Sequence, residues 1–169
     1  MAAATDTGFA QMRVSKVVGL REPEGDRFEC IVLDEVRGDR RFVIQVGSME
    51  AFSLAASLGG TEFGRPMTYQ LTAALVQGLG GRIRQVRIDR LVAGAYAATV
   101  EVEGAGGIRQ VDARPSDALN LAVLADAPIF AALEVVEDSQ RRQEGDSAGA
   151  ALLRRARDLP PMTVRRAGA

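Results

Sequence analysis

The sequence contains no histidine, and this absence narrows the chemistry open to it. Without histidine there is no His-containing catalytic triad, no imidazole metal ligand and no imidazole acid or base. The single cysteine, Cys30, lies in an apolar run that predicts a buried strand, which indicates an inert thiol. Any catalysis must therefore use carboxylates, Arg, Ser, Thr, Tyr, the one Lys or a metal held by oxygen ligands. Such ligands suit a hard cation such as Mg²⁺, Mn²⁺ or Ca²⁺.

Long hydrophobic runs are also missing. No apolar stretch approaches the roughly 20 residues that span a bilayer, so we expect no membrane segment. The first ten residues lack a basic region followed by an apolar block, so we expect no secretory signal. One cysteine allows no internal disulfide, which fits a reducing compartment. We therefore expect a cytoplasmic protein.

The charge is nearly balanced overall, with a formal net charge of −1, but it is unevenly distributed. Residues 139–169 carry seven arginines and three acidic residues, whereas residues 1–138 have an acidic excess. A basic tail on an acidic body predicts either contact with nucleic acid or another acidic partner, or simply a solvated end of the chain.

The pattern of apolar residues predicts an α+β fold, with a mixed, largely antiparallel sheet and helices packed mainly on one side. We predict a flexible N-terminus over residues 1–10, one domain over residues 11–138, and a basic linker and tail over residues 139–169. The nearly continuous apolar run Phe28–Asp34 predicts a strand that is covered on both faces.

The last 41 residues, 129–169, show a less regular pattern of apolar residues. Ile129 and Phe130 indicate a short extended piece, and Leu133–Asp138 indicates a helix. The polar stretch Gln140–Gly149 is typical of a linker, and Ala150–Asp158 predicts one short amphipathic helix. Leu159–Ala169 contains two adjacent prolines and predicts an unanchored end.

The junction from Arg114 to Asp117, with the sequence Arg-Pro-Ser-Asp, carries the most chemical information. Pro115 fixes its own φ angle and favours an extended Arg114, while an apolar helix follows. Ser116 is a candidate helix cap, and Asp117 lies where the helix dipole favours a negative charge. The junction therefore places a guanidinium, a hydroxyl and a carboxylate at one rigid corner.

Four ordered blocks make residues 12–138 resemble the bifunctional nuclease domain family. The blocks are Phe42–Ala51, Arg65–Thr68, Ile88–Ala97, and Asp112–Ala118 with Ala127–Phe130. Three positions depart from the family pattern. Tyr69 and Gln70 stand where members often carry His-Asp, and Ala95 stands where an aromatic residue is common. The resemblance implies a compact α+β domain that often self-associates, with nuclease activity on DNA and RNA.

The acidic residues of the matching blocks are the candidates for metal-assisted chemistry. Glu50 and Asp117 both fall in first helical turns, so converging helix N-termini would let the two carboxylates share a cation. Arg114 is the candidate phosphate clamp, with Ser116 as a second substrate-binding residue and Asp89 as a supporting catalytic carboxylate on a strand.

Each candidate also has a structural interpretation. Ser116 and Asp117 are suited to capping a helix, and Arg114 is suited to an ion pair with Asp117 or Glu50. Asp89 is equally compatible with a solvated charge on a strand. The aromatic residue Tyr69 is interpreted as a packing residue.

Two functions therefore stand side by side. One is a nuclease that hydrolyses phosphodiester bonds with help from a divalent cation. The other is a non-catalytic binding or regulatory module of the same fold, which uses the Arg-Pro-Ser-Asp corner to bind a partner or an anionic ligand. The absence of histidine favours the second function, and the intact corner favours the first.

Overall fold

The computed structural model describes residues 8–21, 25, 27–145 and 147–164, and the N-terminal residues 1–7 lie outside this range. In the described residues, the chain forms seven strands and five helices. In chain order these are β1 (Phe9–Arg21), β2 (Arg27–Glu35), β3 (Arg41–Val46), α1 (Ser48–Leu58), α2 (Thr68–Gly78), β4 (Arg82–Val92), β5 (Ala95–Gly104), β6 (Gly107–Ala113), α3 (Pro115–Ala125), β7 (Ile129–Ala132), α4 (Leu133–Glu144) and α5 (Ala148–Asp158).

The strands form one mixed sheet in the order β3-β2-β1-β7-β4-β5-β6. Two antiparallel meanders, β1-β2-β3 and β4-β5-β6, lie on either side of β7. The short strand β7 pairs antiparallel with β1 and parallel with β4. The predicted α+β class is confirmed, and the short extended piece predicted at Ile129 is in fact the central strand.

Apolar side chains cover both faces of the first meander. Ile31 and Leu33 of β2 point into the larger core with residues of α1, α3 and α4. Cys30 and Val32 point to the opposite face, where Ala156 of α5 packs on them. The two-sided burial predicted for Phe28–Asp34 is therefore confirmed. Buried residues of α1, α3 and α4 belong to the larger core and Val76 of α2 packs against it, whereas α5 contributes to the smaller core, so the helices lie mainly on one side.

The sheet is strongly curved. Phe42 of β3 and Tyr96 of β5 pack edge to face with ring centroids 5.1 Å apart, although four strands separate β3 from β5 in the sheet. Strand twist accumulates across a sheet and brings its ends toward each other. The curvature places the end of β3, the β4–β5 turn and the start of α3 around a common space.

The C-terminal segment is more ordered than the sequence predicts. The prediction of a linker over Gln140–Gly149 is wrong in its first half, because α4 continues to Glu144 and buries Ser139 and Gln143. The predicted helix near the end of the chain is confirmed as α5.

The chain after α5 is also anchored as far as it is described. The N–H of Met162 donates to the carbonyl of Val17 at 2.7 Å. The Nζ of Lys16 donates to the carbonyls of Arg157 and Leu159, at 2.7 and 2.5 Å. An unanchored end is therefore wrong for residues 159–164, because long-range hydrogen bonds to β1 hold them. Residues 165–169 of that prediction lie outside the described range.

The longest helix among the described residues has 12 residues. This is well short of the roughly 20 apolar residues that a membrane span requires. None of the described helices could cross a membrane.

Candidate functional site

Two helix N-termini converge beside the curved sheet. Gly47 is the N-cap of α1 and Arg114 is the N-cap of α3, and Pro115 opens α3 as the sequence predicts. Glu50 and Asp117 are each the third residue of their helix. The positive end of a helix dipole stabilises a carboxylate in the first turn, so both helices favour a charged acid here. The sequence predicts both placements, because Glu50 and Asp117 follow helix-initiating junctions in the blocks Phe42–Ala51 and Asp112–Ala118.

Arg114 lies between the two carboxylates. Its Nε and Nη2 donate to Oδ2 and Oδ1 of Asp117, at 2.7 and 2.9 Å. Its Nη2 also lies 2.9 Å from Oε1 of Glu50. The Arg114 side chain is 66% exposed, against 29% for Asp117 and 17% for Glu50. The guanidinium therefore bridges two recessed carboxylates and remains open to solvent.

Tyr69 of α2 completes this group, which we call the Arg114 cluster: Arg114, Glu50, Asp117 and Tyr69. The hydroxyl of Tyr69 donates to Oδ1 of Asp117 at 2.5 Å. The sequence interpretation of Tyr69 as a packing residue missed this contact. The only available signal was its position, where the family often carries a polar His.

The electrostatics keep Asp117 ionised. Burial raises the pKa of Asp117, but hydrogen bonds from Arg114 and Tyr69 outweigh it, so the pKa lies below its ordinary value. Conversely, the hydrogen bond to Asp117 raises the pKa of Arg114. Burial and the hydrogen bond to Asp117 raise the pKa of Tyr69, so its hydroxyl stays protonated. The cluster therefore pairs one cation with two acids and one neutral donor at neutral pH.

Asn120 holds the two helices in this arrangement. It is fully buried on α3, and its Nδ2 donates to the backbone carbonyls of Glu50 and Ser116, at 3.1 and 2.9 Å. Its Oδ1 has no hydrogen-bond partner among the described residues. The amide therefore links the first turn of α1 to the first turn of α3, where the two carboxylates are carried.

Asp89 lies on the opposite face of the sheet. Its carboxylate accepts hydrogen bonds from Arg87 and Thr99, at 3.1 and 2.5 Å. Along β4, the buried Val86 and Ile88 alternate with Arg87 and Asp89 and face the core that contains α3. Asp89 therefore points away from α3. Of the four predicted catalytic residues, the fold thus brings together Arg114, Asp117 and Glu50 and places Asp89 apart.

Ser116 does not cap α3, since the helix begins one residue earlier and, in the described residues, no side chain hydrogen-bonds at its N-cap. The capping interpretation of Ser116 is therefore wrong. Ser116 is 7% exposed and, like Arg114, it lines a cavity of about 870 Å³ beside the cluster. Both predicted substrate-binding residues thus border the same open space.

A metal ion would find two carboxylates here. Glu50 and Asp117 are close enough to share one guanidinium, but no cluster of three or more acidic or Cys side chains that could hold a metal occurs in the described part of the chain. Mg²⁺ is often held by one or two carboxylates together with substrate phosphates. The pair suits such a cation only when Arg114 has left both carboxylates.

Comparison with known proteins shows a family match and several similar proteins. Residues 31–144 match the family model described as Bifunctional nuclease domain. An uncharacterized protein of Mycobacterium tuberculosis (strain H37Rv) is 33% identical over 130 residues, which cover 77% of this chain and 74% of the relative.

Two plant proteins are also similar. The protein named Bifunctional nuclease 1 of Arabidopsis thaliana is 34% identical over 89 residues, which cover 51% of this chain and 27% of the relative. The protein named Bifunctional nuclease 2 of Oryza sativa subsp. japonica is 30% identical over 115 residues, which cover 66% of this chain and 35% of the relative. The alignments therefore span about a third or less of the plant proteins. The Arg114 cluster lies wholly within the residues that match the family model.

Proposed function

Because the chain belongs to the bifunctional nuclease domain family, we propose that it hydrolyses phosphodiester bonds of nucleic acid at the Arg114 cluster. The observation that carries this proposal is the position of Arg114. Its exposed guanidinium is held between Glu50 and Asp117 at the meeting of two helix N-termini. Guanidinium groups and helix N-termini both bind phosphate.

In the proposed reaction, the guanidinium of Arg114 leaves the two carboxylates and forms an ion pair with the phosphate of the substrate. Arg114 then stabilises the charge that builds on the phosphoryl oxygens. Ser116 supports substrate binding from the wall of the cavity. The lowered pKa of Asp117 makes it a weak proton acceptor, so its role is to orient the attacking water and any bound cation. Tyr69 fixes the orientation of Asp117.

A divalent cation, Mg²⁺ or Mn²⁺, is part of this proposal. Once Arg114 has turned to the phosphate, Glu50 and Asp117 supply the two carboxylates that such an ion takes alongside substrate oxygens. When bound, the ion would polarise the phosphodiester and lower the pKa of a bound water. The role of Asp89 as a supporting catalytic carboxylate stays a prediction. Because the sheet lies between Asp89 and α3, Asp89 would not contact the substrate and would act only by positioning β4.

The test is turnover of single-stranded DNA and RNA with Mg²⁺, with Mn²⁺ and with chelator. We expect Asp117→Asn, which keeps the acceptor for Tyr69, and Arg114→Gln each to lower turnover by about 10²-fold or more. Asp34→Asn is the matched control, because Asp34 forms a comparable pair with Arg41 at 2.6 Å between β2 and β3. Turnover that both site variants leave unchanged would overturn the proposal, as would an inactive parent protein.

The second function, a binding module, is favoured because both carboxylates of the cluster are already paired with Arg114 and neither is unpaired for catalysis. Arg114 is already paired with both carboxylates, and it would release them only to a stronger anionic partner. An inactive parent that binds nucleic acid, with affinity that falls on Arg114→Gln and with added salt, would select this function.

We also propose that the chain forms homo-oligomers through α2. None of its residues is buried, and α2 contains no charged residue. Leu71, Leu75 and Leu79 recur every four residues and are 52%, 57% and 88% exposed. Such an uncharged leucine stripe suits an identical stripe on a second copy.

Light scattering tests this self-association. We expect a mass above that of one chain, and we expect Leu75→Asp to reduce it to one chain. Val36→Asp is the control, because Val36 is 44% exposed in the β2–β3 connection. A monomeric parent would refute the proposal.

A cytoplasmic location is proposed from the state of Cys30. The thiol is free and buried, and burial with the nearby charge of Glu29 raises its pKa to about 11. The single cysteine of the chain is unpaired, as is usual in a reducing compartment. Cell fractionation tests the location, and recovery from an oxidising compartment would contradict it.

A further inference from the structure

The cavity beside the Arg114 cluster has two chemically different walls. It encloses about 870 Å³ where β3, the β4–β5 turn, the start of α3, α4 and α5 meet. This volume lies within the ~300–1,000 Å³ range of small-molecule sites. Because α5 lies beyond the residues that match the family model, one wall is built by a segment outside the family domain.

One wall is cationic. Arg114, Arg141 and Arg142 line the cavity, and the described lining includes no acidic residue. Arg142 is held by Asp138 at 2.7 Å, whereas Arg141 is 3.9 Å from Asp138 and 66% exposed. Arg141 is therefore the guanidinium with the weakest protein partner, and it is available to an anion.

A second wall is apolar. Val43 of β3 lies in the smaller core, Leu153 of α5 packs against that core, and both residues line the cavity. The cationic wall also contains two planar groups, since the guanidinium of Arg142 lies over the ring of Tyr96 at 5.7 Å and both residues line the cavity. Planar rings and guanidinium groups are the surfaces on which nucleic-acid bases stack. The cavity therefore matches a ligand that joins a flat, weakly polar part to an anionic group.

The α5 wall is held in place without a ligand. The hydroxyl of Ser147 accepts from the N–H of Ala150 at the start of α5, and Lys16 donates to the carbonyls at its end. Arg154 of α5 donates to the carbonyl of Gly145 at 2.9 Å and also to that of Gln143. A preformed wall lowers the ordering cost of binding.

We propose that this cavity binds one nucleotide unit, with the base against the apolar wall and the phosphate at Arg141 and Arg142. In this position the unit lies next to Arg114, so the cavity is the subsite for the nucleotide that flanks the scissile phosphate. This assignment as a substrate subsite rests on the proposed nuclease function. A free nucleoside monophosphate fills the same subsite and competes with nucleic acid.

Calorimetric titration of the full chain tests the inference without any turnover. The probes are adenosine monophosphate, inorganic phosphate and adenosine. We expect the monophosphate to bind more tightly than either of the others, because only it uses both walls. Arg141→Gln weakens its binding about tenfold, as expected for loss of one charge-assisted contact. Arg155→Gln is the control, since Arg155 is an exposed arginine of α5 outside the cavity lining and should leave binding unchanged.

The outcomes separate the cavity from the nuclease proposal. Absence of monophosphate binding, or equal binding of inorganic phosphate, overturns the nucleotide site even if the protein is an active nuclease. Monophosphate binding by a protein without turnover supports the cavity as a nucleotide site and overturns its role as a substrate subsite. Binding together with competitive inhibition of turnover supports both.

Discussion

Asn120 offers the sharpest test of how the two helices are held together. Its amide donates to the carbonyls of Glu50 and Ser116 from a fully buried position, while its Oδ1 has no partner among the described residues. Asn120→Asp removes both donated hydrogen bonds, worth about 1 kcal/mol each. It also places a carboxylate against two carbonyl oxygens, and an unpaired buried charge costs several kcal/mol more. We expect a total loss of about 4 kcal/mol or more in the free energy of unfolding at pH 7.

Asn120→Leu should be the milder change, although leucine is chemically less similar to asparagine. It also loses two hydrogen bonds, about 2 kcal/mol, but it removes the unpaired Oδ1, whose burial costs about 1–3 kcal/mol. The carbonyls of Glu50 and Ser116 can still accept the backbone N–H four residues further along their own helices. We expect the net change to stay within about 1–2 kcal/mol.

The two variants should also differ in their response to pH. Burial raises the pKa of the new carboxyl in folded Asn120→Asp above its unfolded value of about 3.9. The destabilisation is therefore largest above the folded pKa and shrinks as the pH falls through it toward the unfolded value. Asn120→Leu adds no titrating group, so its stability difference from the parent should not change with pH.

Urea unfolding followed by circular dichroism measures these differences, because the chain has no Trp for fluorescence. The reasoning fails if Asn120→Leu is as unstable as Asn120→Asp at pH 7. It also fails if the Asp variant does not recover stability, relative to the parent, between pH 7.5 and pH 5.

Three further predictions address the cluster and the C-terminal segment. Tyr69→Phe removes a hydrogen bond that lowers the pKa of Asp117, so the acid limb of a pH–turnover profile should move to higher pH; an unmoved limb would contradict the role of Tyr69. Lys16→Met removes the donors to two carbonyls near the end of α5, so urea unfolding should show a loss of about 1–2 kcal/mol and trypsin should cleave faster after Arg157; unchanged proteolysis would argue against the anchor. A Cβ at position 47 would collide with the carboxylate of Glu50, so Gly47→Ala should displace Glu50 and lower turnover while changing stability by less than about 1 kcal/mol; full activity would show that Glu50 is dispensable.

The fold class and most elements could be predicted because they are encoded locally. The apolar run Phe28–Asp34 carries its burial pattern in consecutive residues. The strand Ile129–Ala132 could not be recognised as central, because four residues carry little periodicity and its position depends on pairing with β1 and β4. The anchoring of residues 159–164 was equally hidden, because it depends on Lys16, which lies 141 residues before Arg157.

In the site as well, features encoded by neighbouring residues could be predicted, and features set by packing between distant segments could not. Glu50 and Asp117 could be found because each lies in the first turn after a helix-initiating junction. The contact of Tyr69 with Asp117 depends on how α2 packs on α3, which no local pattern encodes. In β4, Asp89 alternates with the buried residues Val86 and Ile88, but no local pattern shows that α3 covers the face on which those residues lie.

The central position of β7 has a consequence for how the protein is made. Each meander is closed by short hairpins, so its contacts become available as soon as its own residues have left the ribosome. In the described sheet, the two meanders are joined edge to edge by Ile129–Ala132 alone. After Ala113 and before Ala132 has been added, the nascent chain therefore carries two half-sheets with unpaired edges, and a ribosome that stalls in this interval leaves a chain prone to aggregation.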